Sequence, residues 1–265
     1  MLNVVPNGDK LNVSFDYDAT KVLKVKSIPG RSYDVATKSW NIPKEGIKKL
    51  IELFGDDLII DSDVDVTLEP AEDDKLAIFR DVLSTIEQDN MRIFAEWTLS
   101  VLPDYFYEVA ASSTGKYHPK YALGYGGLAR HTKAAIMIAN ELFSNHTIQS
   151  FTTAERDMIR VALLIHDGVK HGLNGSKYVI ATHPLVVIDY IKEQAATPGV
   201  PNDVLDIINS DVWNQISNNI ATHMGEWNYD YKTKEPVLPK PETEMQKFTH
   251  LCDYLASRKI LEVLM

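Results

Sequence analysis

A small α/β head followed by a mainly α-helical body is the architecture this sequence predicts, and three observations carry it. Short stretches of the first 60 residues alternate apolar and polar side chains. Seven acidic residues and Pro70 then crowd the stretch from Asp61 to Asp74. Everything beyond that stretch has helical spacing.

In the head, Leu11–Tyr17 alternates as a strand should, and Asp18 can cap a short helix through Lys26. Ile28-Pro29-Gly30 is a turn. Arg31–Val35 and Lys38–Ile42 read as two strands joined through Ala36-Thr37, with Pro43 ending the second. Lys44–Phe54 places Ile47, Leu50, Ile51 and Phe54 at helical spacing, Gly55 stops it, and Leu58-Ile59-Ile60 is a last strand. The expected order is β-α-β-β-α-β over residues 1–60, then an acidic linker over 61–75, then a helical domain over 76–265. Within that domain Leu76–Leu102 is periodic up to Pro103, and the long segments after Gly127 behave likewise.

Composition narrows the setting. Hydrophobic residues make up 45% and charged residues 24%, ordinary for a soluble globular protein. One cysteine, Cys252, excludes an intrachain disulfide and suits a reducing cytosol. No signal-peptide pattern opens the chain, and no apolar run approaches the roughly 20 residues that span a bilayer. A cytoplasmic protein with no membrane partner is expected; the sequence sets no oligomeric state. The net charge of −10 argues against nonspecific nucleic-acid binding by the whole surface. Yet Lys21, Lys24, Lys26, Arg31, Lys38, Lys44, Lys48 and Lys49 face only Asp34 and Glu45 in their segment, which is therefore +6 against −16 for the rest. Such asymmetry points to a polyanion-binding module on an acidic body, although a solvated lysine-rich face has the same composition.

The histidines matter by placement rather than by number. Gly126-Gly127 leads into a helix on which His131, Ala134, Ala135 and Ile138 share a face. The next helix opens with Thr152 three residues before Glu155, a capping-box spacing, and turns Ile159, Ala162, Leu163 and His166 inward, with Asp167 following. His183 precedes Pro184 at a helix start after a Thr182 cap. His223 ends a segment with Ile216, Asn219 and Ile220 on one face. Asp253 sits beside the stripe Phe248, Leu251, Cys252 and Leu255, on a face with Thr249, His250 and Ala256. Taken singly, an inward histidine is more often a hydrogen-bonded core residue than a ligand. Taken together, four imidazoles and two carboxylates on separate helix ends suit two divalent cations sharing a bridging carboxylate. Two metals about 3.5–4 Å apart are a known arrangement for splitting phosphate esters.

The ordered set, with Gly-Gly-Leu before His131 and Lys170 three residues after Asp167, resembles the HD phosphohydrolase superfamily, nearest its exonuclease-like and phage-associated members. The likeness runs from about Tyr105 to Lys259. It includes Ser113–Pro119, His166-Asp167-Gly168-Val169-Lys170, His223–Trp227, Leu238–Pro241 and His250–Arg258. It implies an HD-type helical domain in which Asp167 bridges two metals, His131, His166 and Asp253 complete one, and His183 and His223 complete the other. The cations are drawn from iron, manganese, cobalt, nickel, zinc or magnesium. Asp167 and Lys170 are then the expected catalytic pair, Lys170 stabilising charge on the phosphate. Lys116, His118, Arg130 and Trp227 are candidate substrate contacts, the last by stacking on a base. Separately, Ile28–Asp34 followed by Thr37–Pro43 resembles the HARP module of DNA-annealing helicases, which implies contact with DNA or RNA. The expected substrate is a nucleic-acid 3′ end or another phosphodiester. A small or cyclic nucleotide, or a non-catalytic role for a metal-stabilised binding protein, are the alternatives.

Overall fold

The computed structural model describes residues 1–61, 63–64, 75–112, 118–147, 149–176, 178–261 and 263–264, without the side chains of Glu45, Lys48, Glu52 and Asp56. Two compact units divide the chain, Met1–Asp74 and Lys75–Met265.

The first unit carries a five-stranded mixed sheet: β1 (Leu2–Asn7), β2 (Lys10–Ser14), β3 (Ser32–Asp34), β4 (Ser39–Pro43) and β5 (Leu58–Ile60). Their spatial order is β3-β4-β2-β1-β5, all neighbours antiparallel except β1 with β5. Helices α1 (Ala19–Lys26) and α2 (Ile47–Phe54) bury Val25, Ile47 and Leu50 against Leu2, Val4, Leu11, Val13 and Ile42. Alternate residues along β1 and β2 supply that core because strand side chains alternate between faces. Asp18 caps α1 by accepting the amide of Lys21 at 2.9 Å. Tyr33 and Trp40 pair at 5.0 Å between ring centroids and stay partly exposed, so of the hairpin residues Tyr33, Trp40 and Ile42 only Ile42 is fully buried.

The expected strand order lacked β1. A proline removes a ladder donor, so Pro6 weakens the local strand signal over Leu2–Asn7. Here β5 pairs only Leu2, Asn3 and Val4, so Pro6 lies beyond that pairing and costs no bond on that side.

The second unit is helical: α3 (Arg80–Leu83), α4 (Asp89–Val101), α5 (Tyr105–Glu108), α6 (Gly127–Phe143), α7 (Thr153–Ile165), α8 (His183–Ala195), α9 (Asn202–Ile208), α10 (Asp211–Thr222) and α11 (Glu244–Ala256). The chain is thus mainly α with a small α/β part. Every residue of α7 from Asp157 to Ile165 is buried, the pattern of a helix surrounded on all sides. Helices α4, α6, α10 and α11 all pack against it. Among the described residues no helix is long and apolar enough to cross a membrane.

Leu76–Leu102 is not one continuous helical run. A 3-10 turn over Ala77–Phe79 leads into α3, and the chain leaves the helix between Ser84 and Gln88 before α4 begins. The break is held from α7. The buried Asp157 carboxylate accepts the amides of Glu87 at 3.1 Å and Gln88 at 2.9 Å, while Arg160 balances its charge at 2.7 Å. A long-range partner thus outweighs local periodicity.

Candidate metal centre

Five helices bring six side chains to one point. At α7 the expected capping box is present: the Thr152 amide donates to Glu155 Oε2 at 2.8 Å, and Thr152 Oγ1 accepts the Glu155 amide at 3.3 Å. With the start of α7 fixed and Ile159, Ala162 and Leu163 buried, His166 at its C-terminus and Asp167 in the following turn point inward. Gly127 allows the 120–122 turn to lie directly on the first turn of α6, because a Cβ there would collide with the Ala122 carbonyl. That seats His131 one turn later. His183 is the first residue of α8. Thr182 precedes it, but its hydroxyl does not cap; its carbonyl accepts the amides of Leu185 and Val186 instead. His223 follows α10, and α11 presents Asp253. The buried stripe of α11 is Phe248, Thr249, Cys252 and Ala256 rather than one through Leu251, which is exposed, because α11 turns Thr249 and Ala256 inward.

The two oxygens of Asp167 divide the histidines. Oδ1 lies 3.0 Å from His183 Nε2 and 3.8 Å from His223 Nε2. Oδ2 lies 3.4 Å from His166 Nε2 and 3.6 Å from His131 Nε2. Asp253 Oδ1 joins the second pair, 2.9 Å from His131 Nε2 and 3.4 Å from His166 Nε2. His166, His223 and Asp253 also fall within one ligand-sized group, so the halves share a border. His131, His166, Asp167, His183 and His223 are at most 1% exposed; the Asp253 side chain, at 17%, is the opening to solvent.

Hydrogen bonds fix which ring nitrogens face inward. The Nδ1 atoms of His166, His183 and His223 donate to the carbonyls of Leu163 at 2.5 Å, Ile180 at 2.8 Å and Ile220 at 2.7 Å. A carbonyl can only accept, so each neutral ring carries its proton on Nδ1 and leaves a lone pair on Nε2. The lone pairs of His183 and His223 therefore face each other at 3.4 Å, beside Asp167 Oδ1. His166 Nε2 and Asp167 Oδ1 are buried with no hydrogen-bond partner. The facing lone pairs of His183 and His223 are costly without a positive charge between them, and the buried groups of the cluster could hold a metal ion.

Charge at the site is strongly coupled. Burial works to raise the Asp167 carboxyl, but the Lys170 ammonium, with His166 and His183, holds it well below the usual carboxylate range. Burial likewise opposes ionisation of Asp253, and His131 and His166 outweigh it. Burial alone would lower His166; Asp167 and Asp253 instead raise it to about 10. His223 is pushed down to about 3, by burial first and then by His166.

The other expected residues are placed unevenly. Lys170 Nζ donates to Asp167 Oδ2 at 2.6 Å, so its ammonium sits on the dividing carboxylate itself. The His118 ring stands 5.6 Å from that of His131, and burial lowers it to about 4. Arg130 is turned away: its guanidinium donates to the carbonyls of Tyr121 at 2.6 Å and Leu123 at 2.9 Å, binding the 120–122 turn to α6. Trp227 is 42% exposed and stacks on Tyr254 at 5.7 Å, with Arg258 over both rings. Lys116 lies outside the described residues. His250 was not singled out from sequence, yet its Nδ1 donates to the His223 carbonyl at 2.7 Å and its ring fills the space Gly225 leaves. Its position one turn before Asp253 was the available signal.

No protein-family model matches the chain, and neither a curated protein nor a solved structure matches it.

Proposed function

We propose that the chain is an HD-type metal-dependent phosphohydrolase that uses two divalent cations to cleave a phosphate ester of a nucleic-acid end or a nucleotide. The supporting observation is the two-sided Asp167 carboxylate, set between histidine pairs in which three rings have their Nε2 lone pairs fixed inward. Asp167 would be shared; His131, His166 and Asp253 would hold one cation and His183 with His223 the other. Bound there, cations drawn from iron, manganese, cobalt, nickel, zinc or magnesium supply Lewis acidity and lower the pKa of water.

The chain's own groups have separable tasks. Asp167 orients both halves. Lys170 keeps Asp167 ionised and brings a positive charge to the edge where negative charge grows on a phosphate. His118, kept neutral by burial, offers a ring nitrogen on the His131 side without adding charge. Because Asp253 is the exposed member, the reacting phosphate approaches from its side. A buried centre of this kind suits a strand end or a single nucleotide better than the middle of a duplex. The basic head, residues 1–60, is read as a nucleic-acid-binding module of the HARP-like kind.

Metal-stripped protein reloaded with Mn²⁺ should hydrolyse bis(4-nitrophenyl) phosphate and shorten labelled oligonucleotides or convert nucleotides. Two bound ions with no hydrolysis of any of these would leave the cations structural and refute the reading.

A further inference from the structure

Next to the His131 side of the cluster is a cavity of 410 Å³, of whose lining only His118 has been given a role above. His118, Lys120, Tyr121, Leu123, Lys259 and Leu261 line it. Its place is fixed by two contacts. His118 meets His131 edge-on, and the Tyr121 hydroxyl donates to the Ala256 carbonyl at 2.8 Å, three residues past Asp253 on α11. The cavity thus shares His118 with the His131 side of the centre and Tyr121 with the end of α11.

Its lining is chemically divided. Lys120 and Lys259 are exposed cations, and no carboxylate lines the cavity among the described residues. Within a protein of net charge −10, two lysines at one cavity with no carboxylate partner among the described residues mark a place for an anion. The apolar part of the lining, Tyr121, Leu123 and Leu261, is aromatic and aliphatic and suits a flat uncharged group. His118 Nδ1 is buried without a hydrogen-bond partner. The volume is in the range of small-molecule sites.

The geometry points to this cavity as the subsite for one nucleotide unit, its base against Tyr121, Leu123 and Leu261 and its negative charge drawn towards Lys120 and Lys259. The assignment rests on the hydrolase reading and names the substrate it would take. A free nucleoside monophosphate and the terminal nucleotide of a single strand share this chemistry.

The test is calorimetric titration of the full-length, metal-loaded protein with two slowly hydrolysed probes, the methylenephosphonate analogue of adenosine 5′-monophosphate and a phosphorothioate-linked adenosine dinucleotide. Lys120→Glu combined with Lys259→Glu should weaken binding roughly tenfold or more. Lys192→Glu with Lys247→Glu makes the same change of net charge at exposed positions elsewhere and should leave binding nearly unchanged. All four lysines are exposed, so folding is not at risk. Equal weakening by both pairs, or no binding of either probe by the unaltered protein, would overturn the assignment. Tighter binding of the dinucleotide identifies a strand end, and tighter binding of the monophosphate analogue a free nucleotide. Lysine-dependent binding without hydrolysis of bis(4-nitrophenyl) phosphate, oligonucleotides or nucleotides refutes the hydrolase reading alone. Hydrolysis with lysine-independent binding refutes the subsite alone.

Discussion

The two halves of the histidine–aspartate cluster are built differently although they share Asp167. In one half, His183 and His223 are buried, each has its Nδ1 tied to the carbonyl three residues earlier, and their Nε2 atoms lie 3.4 Å apart. In the other, His166 is tied in the same way, but His131 Nδ1 is buried without a partner and Asp253 reaches solvent. Lys170 and His118 stand on this second side as well, since Lys170 binds the Oδ2 atom that faces His131 and His166. Tethered rings resist reorientation, so the first half is a fixed holder. The open half carries the Lys170 charge and the access to solvent at Asp253. The difference teaches that one carboxylate can serve two tasks by giving each oxygen its own surroundings.

Removing that carboxylate should have the largest effect. Asp167→Ala deprives both halves of a ligand and leaves Lys170 without its buried counter-charge. Both ions and all hydrolysis should be lost by elemental analysis and turnover assay; two ions retained in this variant would end the idea of a shared ligand. His183→Ala should be more selective, emptying chiefly the holder half and leaving about one ion per chain. Loss of both ions would show that the halves do not fill independently.

Lys170→Met isolates the open half. A protonated lysine cannot ligate a metal, so metal content should stay near that of the unaltered protein. Turnover should fall by roughly 10²–10³ if one preorganised cation is lost. Normal turnover with full metal would reduce Lys170 to a partner that only keeps Asp167 ionised.

Much of this cluster was legible in the sequence because its members sit at helix ends fixed by local signals. The Thr152–Glu155 box and the inward face of Ile159, Ala162 and Leu163 aim His166, and the Gly-Gly pair before α6 seats His131. What was not legible depends on partners distant in sequence. Strand β1 was missing from the expected order, and the extent of its pairing with β5 cannot be read locally. The break before α4 depends on Asp157, about 70 residues away. Arg130 was expected at substrate and instead holds two loop carbonyls, a choice set by the return of the 120–122 turn. The lysine-lined cavity joins residues 118–123 to residues 259–261, which no spacing rule connects.

Proton release on metal binding gives the finest test of the two halves. His166 has its Nδ1 proton committed to Leu163, so a second proton must sit on Nε2, facing Asp167 and Asp253 at 3.4 Å each. Those carboxylates raise the ring to about 10, so without metal it stays protonated at neutral pH. A cation binding at Nε2 must displace that proton. Acid therefore favours the proton, and affinity of the open half should rise about tenfold per pH unit through neutrality. His223 is lowered to about 3, so its ring is already neutral there and releases nothing. Asp167 and Asp253 are held well below the usual carboxylate range and are ionised throughout. Titration with Mn²⁺ at pH 6.5 and 7.5, in buffers of different ionisation enthalpy, counts the protons in each step. One step should release about one proton and strengthen with pH, and His166→Gln should abolish that release. The other should release fewer, because His223 is already neutral, and His183→Ala should remove it. Equal release in both steps would mean that the halves titrate as one unit, and the division drawn from the two Asp167 oxygens would fail.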